Sequence, residues 1–260
     1  MKSFIVDAFS DQPFSGNPAA VVLQNRQLDD ESLQKIAAEF NLSETAFLQP
    51  LDSQGECWSL RWFTPKAEVS LCGHATLACA HALWEQCQIG AETLRFETLS
   101  GELRVQRCGD RLSMDFPLCM TQSCSFDSWP ASLTSGAVAA ATAGEDLLLE
   151  LADQRAVENF PADSAAIPAL NVRGLIVTAR GEQHDFVSRF FAPAVGIEED
   201  PVTGSAHCAL AHYWQQKLGR DSFNARQISA RGGNVGIAIH GERVVLSGSA
   251  RTVLAGELLV

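Results

Sequence analysis

Two short stretches contain side chains and backbone groups suited to acid–base chemistry. Cys72-Gly73-His74-Ala75 comes directly before an alanine-rich segment with helical composition, and Gly204-Ser205-Ala206 opens a second segment of this kind. The first turn of a helix presents unpaired backbone N–H groups and a partial positive charge. Such a position can acidify a thiol. The two stretches therefore predict two helix N-termini that can hold a carboxylate or an enolate-like oxygen.

Glu44 is the candidate base. In the segment SETAFL it shares the predicted strand face with Ala46 and Leu48. A carboxylate among apolar residues is costly unless it is paired or used. Proton transfer at carbon needs a base that competes for a proton near neutral pH, and carboxylates acquire that property in apolar pockets. The residues alone leave open a surface position for Glu44 at the start of a strand.

Other polar side chains lie near the two predicted helix starts, and each has a structural alternative. Asp200 can cap a turn or the helix, His74 can contribute only to helix entry, and Ser205 can be an N-cap. His81 and His212 occupy matching positions in the two helices. Their spacing favours packed or partly exposed helix residues over metal ligands.

The elements that must position these groups are short strands and three helices. Helices are predicted at about 29–40 behind Asp29 or Asp30, at 75–87, and at 207–219 with Gly219 as the C′ residue. Segment 131–170 reads as a linking region with one or two helices. Strands are predicted in SFIVDAF, ETAFLQP, WSLRWF, TLRFET, ELRVQR, RLSMDF, GLIVTAR, DFVSRFF, RQISARG, VGIAIHG and RVVLSG.

The chain also repeats itself. When Gly73 is aligned with Gly204, several downstream positions match, and a Phe-x-Pro triplet precedes each helix at 63–65 and 191–193. This order predicts an α+β fold of two similar halves, each an antiparallel sheet wrapped around a central buried helix. The predicted halves are 1–117 and 118–260, with the last strand free to pack back on the first half. If the halves face each other, the cleft between them is the expected ligand site.

Composition narrows the class of protein. The chain has 260 residues, is 46% hydrophobic, and carries 31 acidic against 19 basic residues for a net charge of −12. An acidic chain without a basic stripe argues against nucleic acid and anionic membranes as partners. The N-terminal sequence has no signal-peptide pattern, and no stretch approaches the roughly 18 apolar residues of a membrane span. Eight cysteines without a CxxC pair indicate reduced thiols in a cytoplasmic protein.

Four blocks resemble a known family, the PhzF-like isomerases of phenazine biosynthesis. They are GNPAAVV (16–22), NLSETAF (41–47), FTPKAEVSLCGHATLA (63–78) and FAPAVGIEEDPVTGSA (191–206). The resemblance runs from residue 4 to the C-terminus. It implies a diaminopimelate-epimerase-like fold, a homodimer, a small carboxylate-bearing substrate, and no metal or organic cofactor.

The resemblance also implies roles for individual residues. By position, Glu44 resembles the proton-shuttling acid/base of the family, and His74 and Asp200 complete the implied catalytic set. The implied substrate-binding set is Gly73, Gly204, Ser205 and Cys72. One departure concerns the substrate: where family members often have a QG…GRPS-like stretch, this chain reads ARGGNVGIAI (230–239). Phenazine synthesis itself is therefore not assumed.

Two other functions stay open. Racemases and epimerases of the same fold use two thiols, one at the N-terminus of each central helix. Cys72 occupies the first of these places, but the repeat puts Thr203 at the second, and a threonine hydroxyl cannot act as a thiolate. We therefore expect a Glu44-dependent isomerase first. A two-base racemase or epimerase using Cys72, or a non-catalytic protein that binds small carboxylates, are the alternatives.

Overall fold

The computed structural model describes residues 1–161 and 165–260. Strands dominate, with a smaller number of helices, so the α+β class is confirmed. In chain order the strands are β1 (Lys2–Ala8), β2 (Asn17–Leu23), β3 (Glu44–Pro50), β4 (Cys57–Phe63), β5 (Glu68–Val69), β6 (Thr93–Thr98), β7 (Gly101–Cys108), β8 (Arg111–Pro117), β9 (Thr121–Cys124), β10 (Ala137–Ala143), β11 (Asp146–Leu151), β12 (Leu175–Arg180), β13 (Phe186–Phe191), β14 (Ser222–Gln227), β15 (Gly233–His240), β16 (Arg243–Gly248) and β17 (Ala250–Glu257).

The α-helices are α1 (Asp30–Phe40), α2 (Gly73–Glu85), α3 (Ala131–Thr134), α4 (Gln154–Glu158) and α5 (Gly204–Leu218). Short 3-10 helices occur at Ile167–Leu170 and Pro193–Val195. Within the described ranges, no helix combines the length and the hydropathy that crossing a bilayer requires.

The chain divides into two compact units, residues 1–115 with 247–260, and residues 116–246. In the first unit, β1 pairs antiparallel with β17 and β2, β2 parallel with β3, β3 antiparallel with β4, β4 parallel with β6, and β6 antiparallel with β7. In the second, β10 pairs antiparallel with β11, β11 parallel with β12, β12 antiparallel with β13, β13 parallel with β14, and β14 antiparallel with β15. Five successive pairings thus alternate between antiparallel and parallel in the same order in each unit. The prediction of an antiparallel sheet in each half is therefore wrong, because helical crossovers join parallel neighbours in both units.

The parallel pairs determine where the helices lie, because parallel neighbours need a crossover connection. Helices α1 and α2 connect the two parallel pairs of the first unit, and α4 and α5 those of the second. Helix α2 packs on β1, β2 and β3. Ten of its 13 residues are buried, as are nine of the 15 in α5. The abundance of alanine and cysteine in both helices explains this, since small apolar side chains on all sides allow burial all round.

Helix ends agree with the sequence signals in two places. The Asp29 carboxylate accepts a hydrogen bond from the Ser32 amide at 2.8 Å and caps α1, as expected. Gly219 follows α5 with a φ of 65° in the left-handed region, as expected of a C′ glycine. Helices α2 and α5 begin two to three residues earlier than predicted.

Two predictions about secondary structure are wrong. Segment 131–170 contains β10 and β11 as well as short helices; its residues 162–164 lie outside the described residues. Cross-strand pairing with β9 and β11 places the alanine-rich run 137–143 in a sheet, because tertiary pairing outweighs the weak local preference of alanine. The predicted strand RQISARG ends at Gln227, and a turn follows.

Candidate active site

In the first unit the fold brings Glu44, His74 and Cys72 together. Glu44 is the first residue of β3, His74 is in the first turn of α2, and Cys72 is the residue before that helix. Glu44 Oε2 lies 3.2 Å from His74 Nε2. Cys72 Sγ lies 3.5 Å from His74 Nδ1. All three residues are buried, with 9% or less of their surface exposed, so Glu44 points inward as expected and the surface alternative is wrong.

Asn17 is the fourth member of this cluster and was not a predicted site residue. It is fully buried at the start of β2, and its Nδ2 lies 3.2 Å from His74 Nδ1. Ser43 donates a 3.4 Å hydrogen bond to Asn17 Oδ1. Asn17 therefore orients the imidazole so that the opposite ring nitrogen, Nε2, faces Glu44. The block GNPAAVV contains this residue, so its position in a family block was the available signal.

Glu44 Oε2 differs from the other polar atoms of the cluster in its hydrogen bonding. Among the residues that the structure describes, no hydrogen bond of acceptable geometry reaches Glu44 Oε2, although the atom is buried and 3.2 Å from His74 Nε2. A buried carboxylate oxygen without a hydrogen-bond donor is costly. Such an atom indicates a functional site, because the missing donor is then expected to come from a bound molecule or the reaction itself.

The surroundings of the cluster raise the pKa values of both His74 and Cys72. Burial lowers the pKa of His74, but the thiolate form of Cys72 and the Glu44 carboxylate oppose it, and the net pKa is well above the usual value. Burial raises the pKa of the Cys72 thiol, and Glu44 raises it further. The raised pKa of Cys72 opposes formation of the thiolate at this position.

In the second unit, the N-terminus of α5 is held by a buried polar network. The Asp200 carboxylate accepts a 2.5 Å hydrogen bond from the Thr203 hydroxyl. Gln227 accepts the Thr203 amide hydrogen at 2.9 Å and donates to the Asp200 carbonyl at 2.6 Å. Gln227 is fully buried at the end of β14. Sequence reasoning missed Gln227, and a single glutamine in a strand offers no signal.

The Ser205 hydroxyl is hydrogen-bonded to an arginine side chain, whereas an N-cap hydroxyl accepts from a backbone amide of the first helical turn. Thr203 is the residue before α5, so the N-cap alternative for Ser205 is wrong. Arg173 donates a 3.0 Å hydrogen bond to the Ser205 hydroxyl and pairs through both ends of its guanidinium with Asp146. The ring of Phe190 lies 5.5 Å from the guanidinium carbon. Arg173 therefore fixes Ser205 in the first turn of α5, which begins at Gly204.

His81 and His212, at matching positions of α2 and α5, each have a hydrogen-bond partner in the protein. His81 Nε2 lies 3.1 Å from the Thr252 hydroxyl, and burial lowers the pKa of His81 to about 4. His212 accepts the Thr121 amide hydrogen at 2.9 Å. Each ring has a hydrogen-bond partner within its own unit. This agrees with the prediction that both are packed or partly exposed helix residues.

Comparison with known proteins identifies the family. The family described as "Phenazine biosynthesis-like protein" matches residues 6–256. The chain belongs to this family. An uncharacterized isomerase of Pseudomonas aeruginosa is 50% identical over 254 residues, covering 97% of this chain and 96% of that relative. The human phenazine biosynthesis-like domain-containing protein is 43% identical over 281 residues, covering 98% of each chain.

Solved structures of similar proteins support the same family. A PhzF-family phenazine biosynthesis protein from Enterococcus faecalis is 39% identical, with a TM-score of 0.93 over 100% of this chain and 99% of that one. A probable proline racemase from Agrobacterium radiobacter shares the fold at 10% identity, with a TM-score of 0.69 over 100% of this chain and 93% of the other. The family prediction is confirmed. The predicted enzyme class is confirmed in that relatives of similar sequence are named isomerases.

Proposed function

We propose that this protein is a cofactor-independent isomerase that moves a proton between two carbons of a small cyclic or unsaturated carboxylate, with Glu44 as the base. The observation that carries the proposal is the buried Glu44 oxygen, which has no hydrogen-bond donor among the described residues and faces the buried His74. A base for a carbon acid needs a free lone pair in a site shielded from water.

The proposed reaction balances without an oxidant or reductant. Glu44 takes a proton from one carbon, and the electrons of the broken C–H bond delocalise into the adjacent unsaturation. The resulting anion is enolate-like, with charge on oxygen. Glu44 then returns the proton to a second carbon of the substrate. This step moves the double bond and restores the carboxylate form of Glu44. The His74 imidazole, 3.2 Å from Glu44 Oε2, holds the carboxylate in position.

The remaining groups hold the substrate. Cys72 precedes α2 without capping it by its side chain, and Thr203 does the same for α5. The first-turn amides, including those of Gly73 and Gly204, are therefore suited to bind the substrate carboxylate or the developing oxyanion. Asp200 and Ser205 add polar groups beside α5, and Cys72 lines the site in the first unit.

Several finer features belong to the same proposal. We propose that the shared order of strand pairings reflects a diverged repeat, as in diaminopimelate-epimerase-like folds. The predicted cleft between the halves, the homodimer and the absence of a required cofactor stay predictions. So does the cytoplasmic location.

The two-base racemase is the second candidate, since a probable proline racemase shares the fold. Two observations disfavour it. Burial raises the pKa of the Cys72 thiol, which opposes formation of the thiolate that this mechanism needs. Thr203 precedes α5 in the same way that Cys72 precedes α2, so the second thiol is replaced by a hydroxyl.

Proton NMR in deuterated water separates these functions. The protein is mixed in turn with a panel of small carboxylates that includes dihydro-hydroxyanthranilate and common amino acids, and loss of carbon-bound hydrogen is followed. We expect exchange and rearrangement of an unsaturated or cyclic carboxylate, with Cys72→Ala keeping a measurable rate. Exchange only at the α-carbon of amino acids, abolished by Cys72→Ala, would establish the racemase. Tight binding of a carboxylate without any exchange would establish the binding protein.

A further inference from the structure

The Arg173 guanidinium has hydrogen-bond donors left over after its contacts within the protein. Its Nε and Nη2 pair with the two oxygens of the Asp146 carboxylate, and Nη2 also donates to Ser205 Oγ at 3.0 Å. Both hydrogens of Nη1 remain. Among the described residues neither has an acceptor, and 34% of the Arg173 side chain is exposed. Nη1 is therefore accessible to a molecule from solution.

The guanidinium is held in one orientation by its surroundings. The Asp146 side chain is only 5% exposed and occupies the edge formed by Nε and Nη2. The ring of Phe190 lies 5.5 Å from the guanidinium carbon. Gly174 leaves room for that ring, because an added Cβ would lie 2.5 Å from it. A planar cation that is already fixed loses little entropy on binding, so its remaining donors are suited to recognise a ligand.

Ser205 places a second donor on the same side of the guanidinium. Its hydroxyl accepts from Nη2, whose second hydrogen lies on the edge shared with Nη1. A hydroxyl that accepts one hydrogen bond keeps its own hydrogen to donate. Ser205 is exposed, and in the described part of the chain its hydroxyl donates to no acceptor. One carboxylate can therefore accept from Nη1 with one oxygen and from Ser205 Oγ with the other.

We propose that Arg173 Nη1 and Ser205 Oγ bind the carboxylate of a small monocarboxylic acid, and that this carboxylate belongs to the substrate. The second part rests on the proposed function. The first-turn amides then serve the developing oxyanion. The repeat aligns Ser205 with His74, which faces Glu44 in the first unit. The two helix starts thus have different chemistry, a base in the first unit and a carboxylate-binding pair in the second.

The acidic residues around Arg173 restrict the charge of the ligand. The pKa of Arg173 is raised, first by its hydrogen bond to Asp146 and also by the charges of Asp146, Glu145 and Asp200, although burial opposes this. These carboxylates offset the charge of the guanidinium, so the site has no excess positive charge. Two directed hydrogen bonds must therefore supply the recognition, which favours a monoanion over a dianion such as phosphate.

Acetate is the probe for the site, because it contains a carboxylate and little else, and acetamide is its neutral counterpart. In ¹⁵N-labelled protein at constant ionic strength, acetate should shift the Ser205 amide and Arg173 Nε–H resonances in a saturable way. Acetamide should not, and phosphate should bind more weakly than acetate. Arg173→Lys and Ser205→Ala each remove one donor, so each should weaken acetate binding about 10-fold or more.

The matched controls are Arg180→Lys on β12 and Ser222→Ala on β14, both at exposed positions of the same unit. They should keep the wild-type affinity, and circular dichroism establishes that each variant is folded. Ser205→Ala changes an exposed side chain and tests the site even if Arg173→Lys fails to fold. The site would be overturned by the lack of a saturable shift in the wild type, by an equal response to acetamide, or by wild-type affinity in Ser205→Ala. Stronger binding of phosphate would overturn the monocarboxylate class.

Exchange kinetics separate this site from the proposed function. For a carboxylate that the wild type exchanges in deuterated water, Ser205→Ala should raise KM more than it lowers kcat. Exchange with an unchanged KM in both Ser205→Ala and Arg173→Lys overturns the substrate site and leaves the isomerase standing. Acetate binding that depends on Arg173, without exchange of any carboxylate, supports the site and counts against the isomerase.

Discussion

Gln227→Met is the perturbation that most directly tests what holds the N-terminus of α5 in the second unit. The wild-type side chain is fully buried and serves two backbone groups, the Thr203 amide hydrogen at 2.9 Å and the Asp200 carbonyl at 2.6 Å. Methionine has a similar length and no comparable donor or acceptor. The variant therefore leaves both groups without these partners while it largely preserves packing.

The magnitude follows from those two losses. A buried donor or acceptor left unsatisfied costs about 1–3 kcal/mol, so the free energy of unfolding should fall by about 2–6 kcal/mol. At an unfolding entropy of about 2.1 cal/mol/K per residue, a chain of this size loses about 2 °C in Tm for each kcal/mol. The expected decrease in Tm is about 4–12 °C.

Thermal unfolding followed by circular dichroism measures this change, and amide hydrogen exchange locates it. The Thr203 amide should lose protection in Gln227→Met. Gln122→Met, an exposed glutamine on β9 in the same unit, is the control and should change stability by less than about 0.5 kcal/mol. Equal Tm values for the two variants would refute the claim that the Gln227 hydrogen bonds stabilise the N-terminus of α5.

Three further outcomes are expected. Burial lowers the pKa of His207 to about 4, so the unfolded chain takes up a proton first on acidification, and stability is lost as pH falls from about 6.5 towards 4. In urea unfolding, the free energy of unfolding should decrease between pH 7 and pH 5 by about 2 kcal/mol less in His207→Phe than in the wild type. An identical pH dependence in the two proteins would show that His207 does not have a lowered pKa. Arg173→Met should destabilise by about 1–3 kcal/mol, because it leaves the buried Asp146 carboxylate unpaired. Adding Asp146→Asn should recover part of that loss in denaturant unfolding, whereas a further decrease would show that the ion pair is not the cause. In an activity assay, Arg173→Met should raise KM more than it lowers kcat, since Arg173 positions Ser205; an effect on kcat alone would exclude that role.

Much of the local structure was predictable from the residues themselves. Asp29 and Gly219 mark real helix ends, and the alanine- and cysteine-rich composition identified α2 and α5 as buried helices. These signals are local, and each depends on side-chain chemistry within one or two helical turns. The alanine-rich strand β10 was missed because its pairing partners decide its state, and those partners are distant in the sequence.

The site itself was only partly predictable. Glu44 and His74 were identified as separate groups and through the family resemblance, but their 3.2 Å approach depends on how β3 packs against α2. Arg173 lies in the loop before β12 and Gln227 in a strand, where neither differs from an ordinary polar residue. Contacts between residues distant in the sequence determine what Arg173 and Gln227 do, and a single sequence contains no local pattern that predicts those contacts.

The measurement that tests the central claim most directly compares Glu44→Gln with Glu39→Gln. Glu39 is an exposed carboxylate on α1 in the same unit, so its variant controls for the loss of one charge. For any carboxylate that the wild type exchanges in deuterated water, the rate should fall by about 10²–10⁴ in Glu44→Gln and stay at the wild-type level in Glu39→Gln. A folded Glu44→Gln protein that exchanges carbon-bound hydrogen at the wild-type rate would show that Glu44 is not the base.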